Sequence, residues 1–350
     1  MKKTLIILGS LLFGAVCILL SLMALSNGPN DYKNGFTRQG LSRSPAVKLH
    51  ELAVGETLYK ICGATPHRFF FTGRDPRKIF SANMAMNQVD SLFIPFPLTR
   101  RAMVAYDLKI DSPYINLYAN NLSAVLGARL NDTTVHTTLL PTRLFTAAVQ
   151  LTPQSFIVKA FDSSGMRQVF KKINTGANKV LAQAPLIEDN KDAGFSADGL
   201  LRYDSTAHRL LYIQFYQNRF FCIDTNLNVL YTAKTIDTTN NNPVFTKNIP
   251  TRNSQGSVLP AVPLHIINRA CVTTAGSIYI LSTLKADNET DTAFRDNAVI
   301  DVYTIGNGAY RGSFYIPDLH GEKAQNLFFA NGLLLVYYNR YIGAYKIPAR

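Results

Sequence analysis

The chain repeats one unit: a short apolar strand, a tight polar turn and a second strand. The opening strands of these units lie at 67–72, 114–118, 155–160, 209–215, 277–281 and 333–338, and they start 41 to 68 residues apart. Five of the turns are short: Gly73-Arg74-Asp75-Pro76, Ala119-Asn120-Asn121, Asp162-Ser163-Ser164-Gly165, Gln217-Asn218 and Asn339-Arg340. The fifth unit carries a longer acidic loop instead. Leu, Ile, Val, Tyr and Phe fill the strands, while Asn, Asp, Ser and Thr fill the turns. A strand-only unit of this size cannot bury its faces alone and must stack on copies of itself.

That spacing predicts the blades of a propeller. The fourth unit is the clearest, with an inner strand over 199–204 and further strands over 209–216, 219–224 and 229–236. The other blades fall at about 56–97, 101–142, 143–189, 263–318 and from 323 onward. The last has only three strands before the chain ends at Arg350. A strand-like segment, 46–52, is left over at the start. It is expected to pair with 341–347 and close the ring, which removes the exposed sheet edges. With 350 residues, 47% of them hydrophobic, the expected fold class is all-β. It is a six-bladed β-propeller over 46–350, closed by an N-terminal strand and preceded by one transmembrane or signal helix.

The N-terminal segment, 1–26, reads as an export element. Lys2 and Lys3 precede an uncharged apolar run over 5–25. Its length suits a membrane span of about 20 residues better than a signal h-region of about 7–15. A retained anchor is therefore expected, with cleavage after Ser26 as the alternative. The basic end stays in the cytoplasm, which places the remainder on the extracytoplasmic (periplasmic) side of the inner membrane. Residues 27–45 are polar and aperiodic and read as a tether.

The formal net charge is +13. A basic exported domain suits an envelope protein or an anionic glycan or lipid surface; nucleic acid is a poor fit for an exported chain. Cys62, Cys222 and Cys271 each sit in an apolar strand and are expected to be buried as small hydrophobes, with a disulfide between two of them as the alternative. No Cys-x-x-Cys is present.

In period and strand pattern, the chain resembles the six-bladed β-propeller superfamily of exported bacterial proteins over about residues 46–350. It contains no Trp, so it has neither the Trp-Asp dipeptide of WD repeats nor the Trp docking motifs of quinoprotein dehydrogenases. Ser196-Ala197-Asp198-Gly199 begins like a sialidase Asp-box, but the residues that follow do not fit it.

In a propeller, loops from second to third strands and connections between blades emerge on one face. Two insertions, 237–262 and 282–298, should therefore share that face, and long loops of this kind are commonly functional. The same reasoning brings Arg74 and Arg340 to the face, and Arg202, Tyr203, His265 and Arg269 toward the central channel. Guanidinium groups there would suit an anionic ligand. The acidic residues of 282–298 lack the spacing of an EF-hand loop. The six His are scattered without metal-site spacing, and no Gly-x-Ser-x-Gly occurs. No catalytic residue, metal site or cofactor is assigned. The function expected is a non-catalytic extracytoplasmic propeller that binds through its loop-bearing face. The alternative is a hydrolase or lyase with its site in the central funnel.

Overall fold

The structure is a computed structural model. It describes residues 2–25, 33–41, 46–55, 57, 60–99, 105–162, 167–187, 194–239, 246–249, 257–274 and 276–347. Parts of the expected tether and of the 237–262 insertion lie outside these. Two units are distinct, residues 1–34 and residues 35–350.

In the first unit, Lys2–Leu25 forms helix α1. Its described apolar side chains, from Ile6 to Leu22, are nearly all exposed. Among the described residues, no helix is long and apolar enough to cross a membrane.

The second unit is all-β. It begins with β1 (Val47–Ala53). Four-stranded groups follow in chain order. These are β2 (Lys60–Ala64), β3 (Arg68–Thr72), β4 (Lys78–Asn83) and β5 (Val89–Phe93); then β6 (Tyr106–Asp111), β7 (Tyr114–Ala119), β8 (Ala124–Arg129) and β9 (Asp132–Leu139). Next come β10 (Phe145–Thr152), β11 (Ser155–Phe161), β12 (Gln168–Asn174) and β13 (Lys179–Ala184), and β14 (Gly199–Asp204), β15 (Arg209–Gln214), β16 (Arg219–Asp224) and β17 (Val229–Lys234). A hairpin, β18 (Thr246–Ile249) and β19 (Ser257–Pro260), precedes β20 (Asn268–Thr274), β21 (Ser277–Ser282), a one-turn helix α2 (Asp291–Asp296), β22 (Asn297–Thr304) and β23 (Tyr310–Pro317). The last strands are β24 (Ala324–Ala330), β25 (Leu333–Tyr338) and β26 (Tyr341–Lys346).

Each group is an antiparallel meander, in the order expected of propeller blades. The last group is completed by β1, which pairs antiparallel with β26, Leu52 opposite Ile342 and Ala53 opposite Tyr341. The predicted closing strand is thus in place. β2 and β6 also pair, in parallel, through Gly63–Ile110 and Ala64–Asp111, and this fuses two groups into one eight-stranded sheet.

The core lies between the groups. Consecutive groups share an apolar cluster, such as Leu108, Ile110 and Leu117 with Phe70 and Ile79, or Ile300 and Phe314 with Leu334 and Tyr338. The run of clusters closes where Phe69 and Phe71 meet Leu335, Ile342 and Leu52. Face-to-face stacking explains why middle strands are buried on both sides (β15 reads Leu210-Leu211-Tyr212-Ile213, all buried), while outer strands alternate.

One expectation changes. Residues 35–41 are not a free tether but a strap clasped to the fifth group. Gln39 accepts from Ser313 N at 2.8 Å, and Ala46 N donates to Tyr315 O at 3.2 Å, so the strap follows the outer edge of β23. Arg38 enters the protein from this strap. It donates to Asp301 through Nε at 2.8 Å and Nη2 at 3.1 Å, to Ser282 Oγ and Leu284 O at 2.8 Å each, and to Glu289. Its side chain and that of Glu289 are fully buried. Burial alone would lower the Arg38 pKa, but Asp301 and Glu289 together raise it above the ordinary arginine value.

Candidate functional site

All the blade strands alternate in direction, so the ends of the sheets form two faces. One face carries the turns after each second strand and the connections between groups. The other carries the turns after first and third strands: 65–67, 84–88, 112–113, 130–131, 153–154, 175–178, 205–208, 225–228, 275–276, 305–309 and 331–332. None of these turns contains Arg, Lys, Asp or Glu. Charged residues still border this face at strand ends, among them Asp111, Arg129, Asp132 and Lys179, while the charged turns between blade strands belong to the first face.

On that charged face, Arg74 is exposed in the β3–β4 turn and Arg340 in the β25–β26 turn. The Arg340 N–H donates to Glu322 Oε2 at 2.9 Å, which fixes the turn and leaves the guanidinium outside. Arg269, exposed at the start of β20, donates to Gln325 Oε1 at 2.8 Å. Beside it lies a shallow depression of about 550 Å³ lined by Glu322, Lys323, Gln325, Tyr337 and Asn339. Among the described residues, neither Arg74, Arg269 nor Arg340 forms an ion pair. His265 is exposed in the connection just before β20. The 237–262 insertion contributes the β18–β19 hairpin to this same connection.

The acidic loop has a structural task. Asp287 accepts from Gly35 N at 3.1 Å, Asn288 exchanges bonds with the Arg38 backbone at 3.0 and 2.8 Å, and Glu289 holds the Arg38 guanidinium and accepts from Tyr315. Asp291 pairs with Lys285 and Asp296 with Arg295. Its carboxylates are engaged by the strap and by neighbouring cations, and their chemistry is that of a clasp.

Arg202 and Tyr203 diverge. Tyr203, at the far end of β14, packs into the cluster between the third and fourth groups, and its hydroxyl meets His208 Nδ1 at 3.2 Å in the uncharged-face turn. Arg202 turns toward the axis instead. Its Nε donates to Cys271 O on β20 at 2.8 Å and its Nη1 to Leu201 O at 3.0 Å.

There it meets two cations that sequence inspection passed over. Lys60, at the start of β2, is paired with Asp107 of β6. Lys109, two residues beyond Asp107, stands 3.6 Å from the same carboxylate and donates to Ala148 O of β10 at 2.6 Å. Arg202 is within electrostatic range of both. Burial lowers the Lys60 ammonium to about 7, with Lys109 and Arg202 adding like-charge repulsion. Burial and Arg202 lower Lys109 to about 7 as well. Arg202 is itself lowered by burial. Lys60 and Lys109, from two inner strands, therefore share one carboxylate, and Arg202 from a third lies within electrostatic range of both lysines. The readable signal was Tyr106-Asp107-Leu108-Lys109-Ile110-Asp111, an innermost strand that alternates apolar and charged residues.

Cys62, Cys222 and Cys271 are buried free thiols. Burial pushes Cys62 and Cys271 up to about 12. The Asp-box-like turn is structural. Ala197 O accepts from Tyr212 Oη at 2.6 Å and from the buried Lys159 at 3.0 Å, while Asp198 accepts from Lys159 at 3.2 Å.

No family model matches the chain, and no curated protein matches it by sequence. Its fold is similar to that of virginiamycin B lyase from Staphylococcus aureus, at 12% identity and TM-score 0.51, over 86% of this chain and 99% of that one. A streptogramin B lyase gives 12% and 0.51 over 85% and 96%. A member of the duf4221 family from Bacteroides vulgatus gives 13% and 0.53 over 86% and 97%. At such identities the likeness conveys the fold alone, an all-β, propeller-type architecture.

Proposed function

We propose that this chain is a non-catalytic six-bladed β-propeller of the extracytoplasmic space, held at the inner membrane by its N-terminal helix. It binds an anionic envelope component, or a protein presenting one, through the charged face. The observation that carries this reading is the placing of free guanidinium groups: Arg74, Arg269 and Arg340 are exposed on one face and, among the described residues, form no ion pair, while the turns of the other face hold no charge and its strand ends carry both signs, Asp111 and Asp132 beside Arg129 and Lys179. A docking face gains recognition and on-rate from exposed cations without a carboxylate partner. Lys2 and Lys3 before the apolar run support the anchor and its orientation. Six strand groups with β1 closing the last support the blade count. The likeness to lyases adds a fold and no chemistry.

The test is photo-crosslinking in intact cells with the full chain. A crosslinker in place of Arg74 or Arg340 is expected to capture a partner that one in place of Ser205 or Asn131, in uncharged-face turns, does not. Equal capture from both faces, or none from either, refutes the reading. Protease added to spheroplasts should digest the propeller and spare the helix; protection of the propeller refutes its placement outside.

A further inference from the structure

The buried cations of this protein are satisfied in most places. Arg38 has two carboxylates, and Lys159 has Asp198 and a carbonyl. The channel differs. Lys60, Lys109 and Arg202 bring three positive charges, and Asp107 returns one negative charge. Among the described residues, Arg202 has only backbone carbonyls for partners, through Nε and Nη1. A charge partly withdrawn from water is costly unless it is paired, so with both lysines protonated this arrangement lacks a counter-charge of about two, and without one the lysines are about half protonated at pH 7. Its donors are still accessible: the Lys60 side chain is 17% exposed and that of Lys109 33%.

We propose that the channel is a binding site for a doubly charged tetrahedral oxyanion, a free phosphate or a phosphate monoester, seated between Lys60, Lys109 and Arg202. The inner strands supply the preorganisation. Gly63 lets β2 and β6 pair directly, which fixes Lys60 and Lys109 on either side of Asp107. The Arg202 Nε and Nη1 bonds to Cys271 O and Leu201 O hold the guanidinium and leave Nη2 for a phosphate oxygen. Asp107 tethers the two ammonium groups while the site is empty. When the anion enters, Lys60 and Lys109 turn their remaining N–H donors to it, and no bond is made or broken. The site is independent of whatever the charged face captures, so either reading can fail alone.

The test uses the full chain in non-ionic detergent at pH 7, in a buffer free of oxyanions. Inorganic phosphate and glycerol phosphate are titrated against chloride at equal ionic strength, with calorimetry and thermal unfolding as readouts. Phosphate or its monoester is expected to bind at one site and to raise Tm where chloride does not. Tighter binding of glycerol phosphate assigns the site to an organic phosphate, and tighter binding of inorganic phosphate to the free ion. Arg202→Met and Lys109→Met should each weaken binding tenfold or more, while Arg340→Met leaves it unchanged. Removing an unpaired charge should also leave Arg202→Met at least as stable as the parent without phosphate. Two results overturn the proposal: phosphate acting no differently from chloride on the parent, or Arg202→Met lowering Tm while keeping the full phosphate response, which would make Arg202 a structural strut.

Discussion

Replacing Arg38 by Met tests whether the strap is part of the folded ring. The guanidinium makes five hydrogen bonds, to two carboxylates, a hydroxyl and a carbonyl, with no solvent access. Methionine fills much of the volume and removes the charge, leaving Glu289 and Asp301 buried without a cation. Removing one partner of a buried pair typically costs about 3–5 kcal/mol. Here the carboxylates keep some neutral partners: Tyr315 Oη and Ala286 N for Glu289, and Ser313 Oγ for Asp301. That places the expected loss near the lower limit, about 3 kcal/mol. In a domain of this size about 2 °C of Tm accompanies each kcal/mol, so Tm should fall by about 6 °C. Hydrogen exchange should rise first at 283–289 and along the β23 edge. Adding Glu289→Gln and Asp301→Asn should recover most of the loss, because the stranded charges are then gone. A Tm within 1 °C of the parent, with exchange at 283–289 unchanged, would refute the clasp.

Four further outcomes are expected. Gly63→Ala should lower stability by several kcal/mol, since a Cβ there would lie 2.1 Å from Ile110 O and force β2 from β6; urea unfolding reads it, and an unchanged midpoint counts against the direct pairing. Leu52→Ala should cost about 2–3 kcal/mol and expose β1 to proteolysis, because Leu52 is the buried residue that seats β1 against Leu335 and Ile342; resistance equal to the parent's would argue that backbone pairing alone closes the ring. Cys62, Cys222 and Cys271 should resist iodoacetamide at pH 8 until the chain unfolds, and stoichiometric labelling of native protein would contradict their burial. In oxyanion-free buffer, stability should rise from pH 7 toward pH 9. The channel lysines bind protons with pKa values near 7 when folded and about 10.4 when unfolded, so the unfolded chain holds more protons in that window. Lys60→Met with Lys109→Met should flatten the slope, and a slope that persists would place its origin elsewhere.

Local chemistry made the ring legible. Period-2 apolar runs and polar turns at 199–236 foretell β14 to β17 almost to the residue, and the missing strand after 341–347 points to β1. The strap was opaque because its information is non-local. Nothing near Arg38 marks it as buried; its partners lie some 250 residues away. The acidic loop likewise reads as solvated or metal-like until those partners are known. The channel was half visible. Arg202 follows from its place on an inner strand, but Lys60 sits in a short strand whose pairing with β6 depends on Gly63, and only that pairing brings Lys60 to Asp107.

The ways this chain holds buried positive charge separate structure from function. At Arg38 the acids outnumber the cation, and the cluster is saturated with hydrogen bonds, as a permanent lock should be. At Lys159, one acid and one carbonyl meet one ammonium over the Tyr212 ring, 5.3 Å from its centroid. Along the inner strands the balance reverses, with three cations to one acid. If the axis served only to pack the ring, apolar side chains of the kind that fill the interfaces between strand groups would serve there at lower cost. A surplus of charge on a preformed frame is what a site for an anion requires, because the frame lowers the entropy of binding and the repulsion among its cations is relieved only when the anion is bound. The stability of Arg202→Met without phosphate, read with its phosphate response, therefore decides between the two: a Tm no lower than the parent's with binding weakened marks stored repulsion and a binding site, and a lower Tm with binding kept marks a strut.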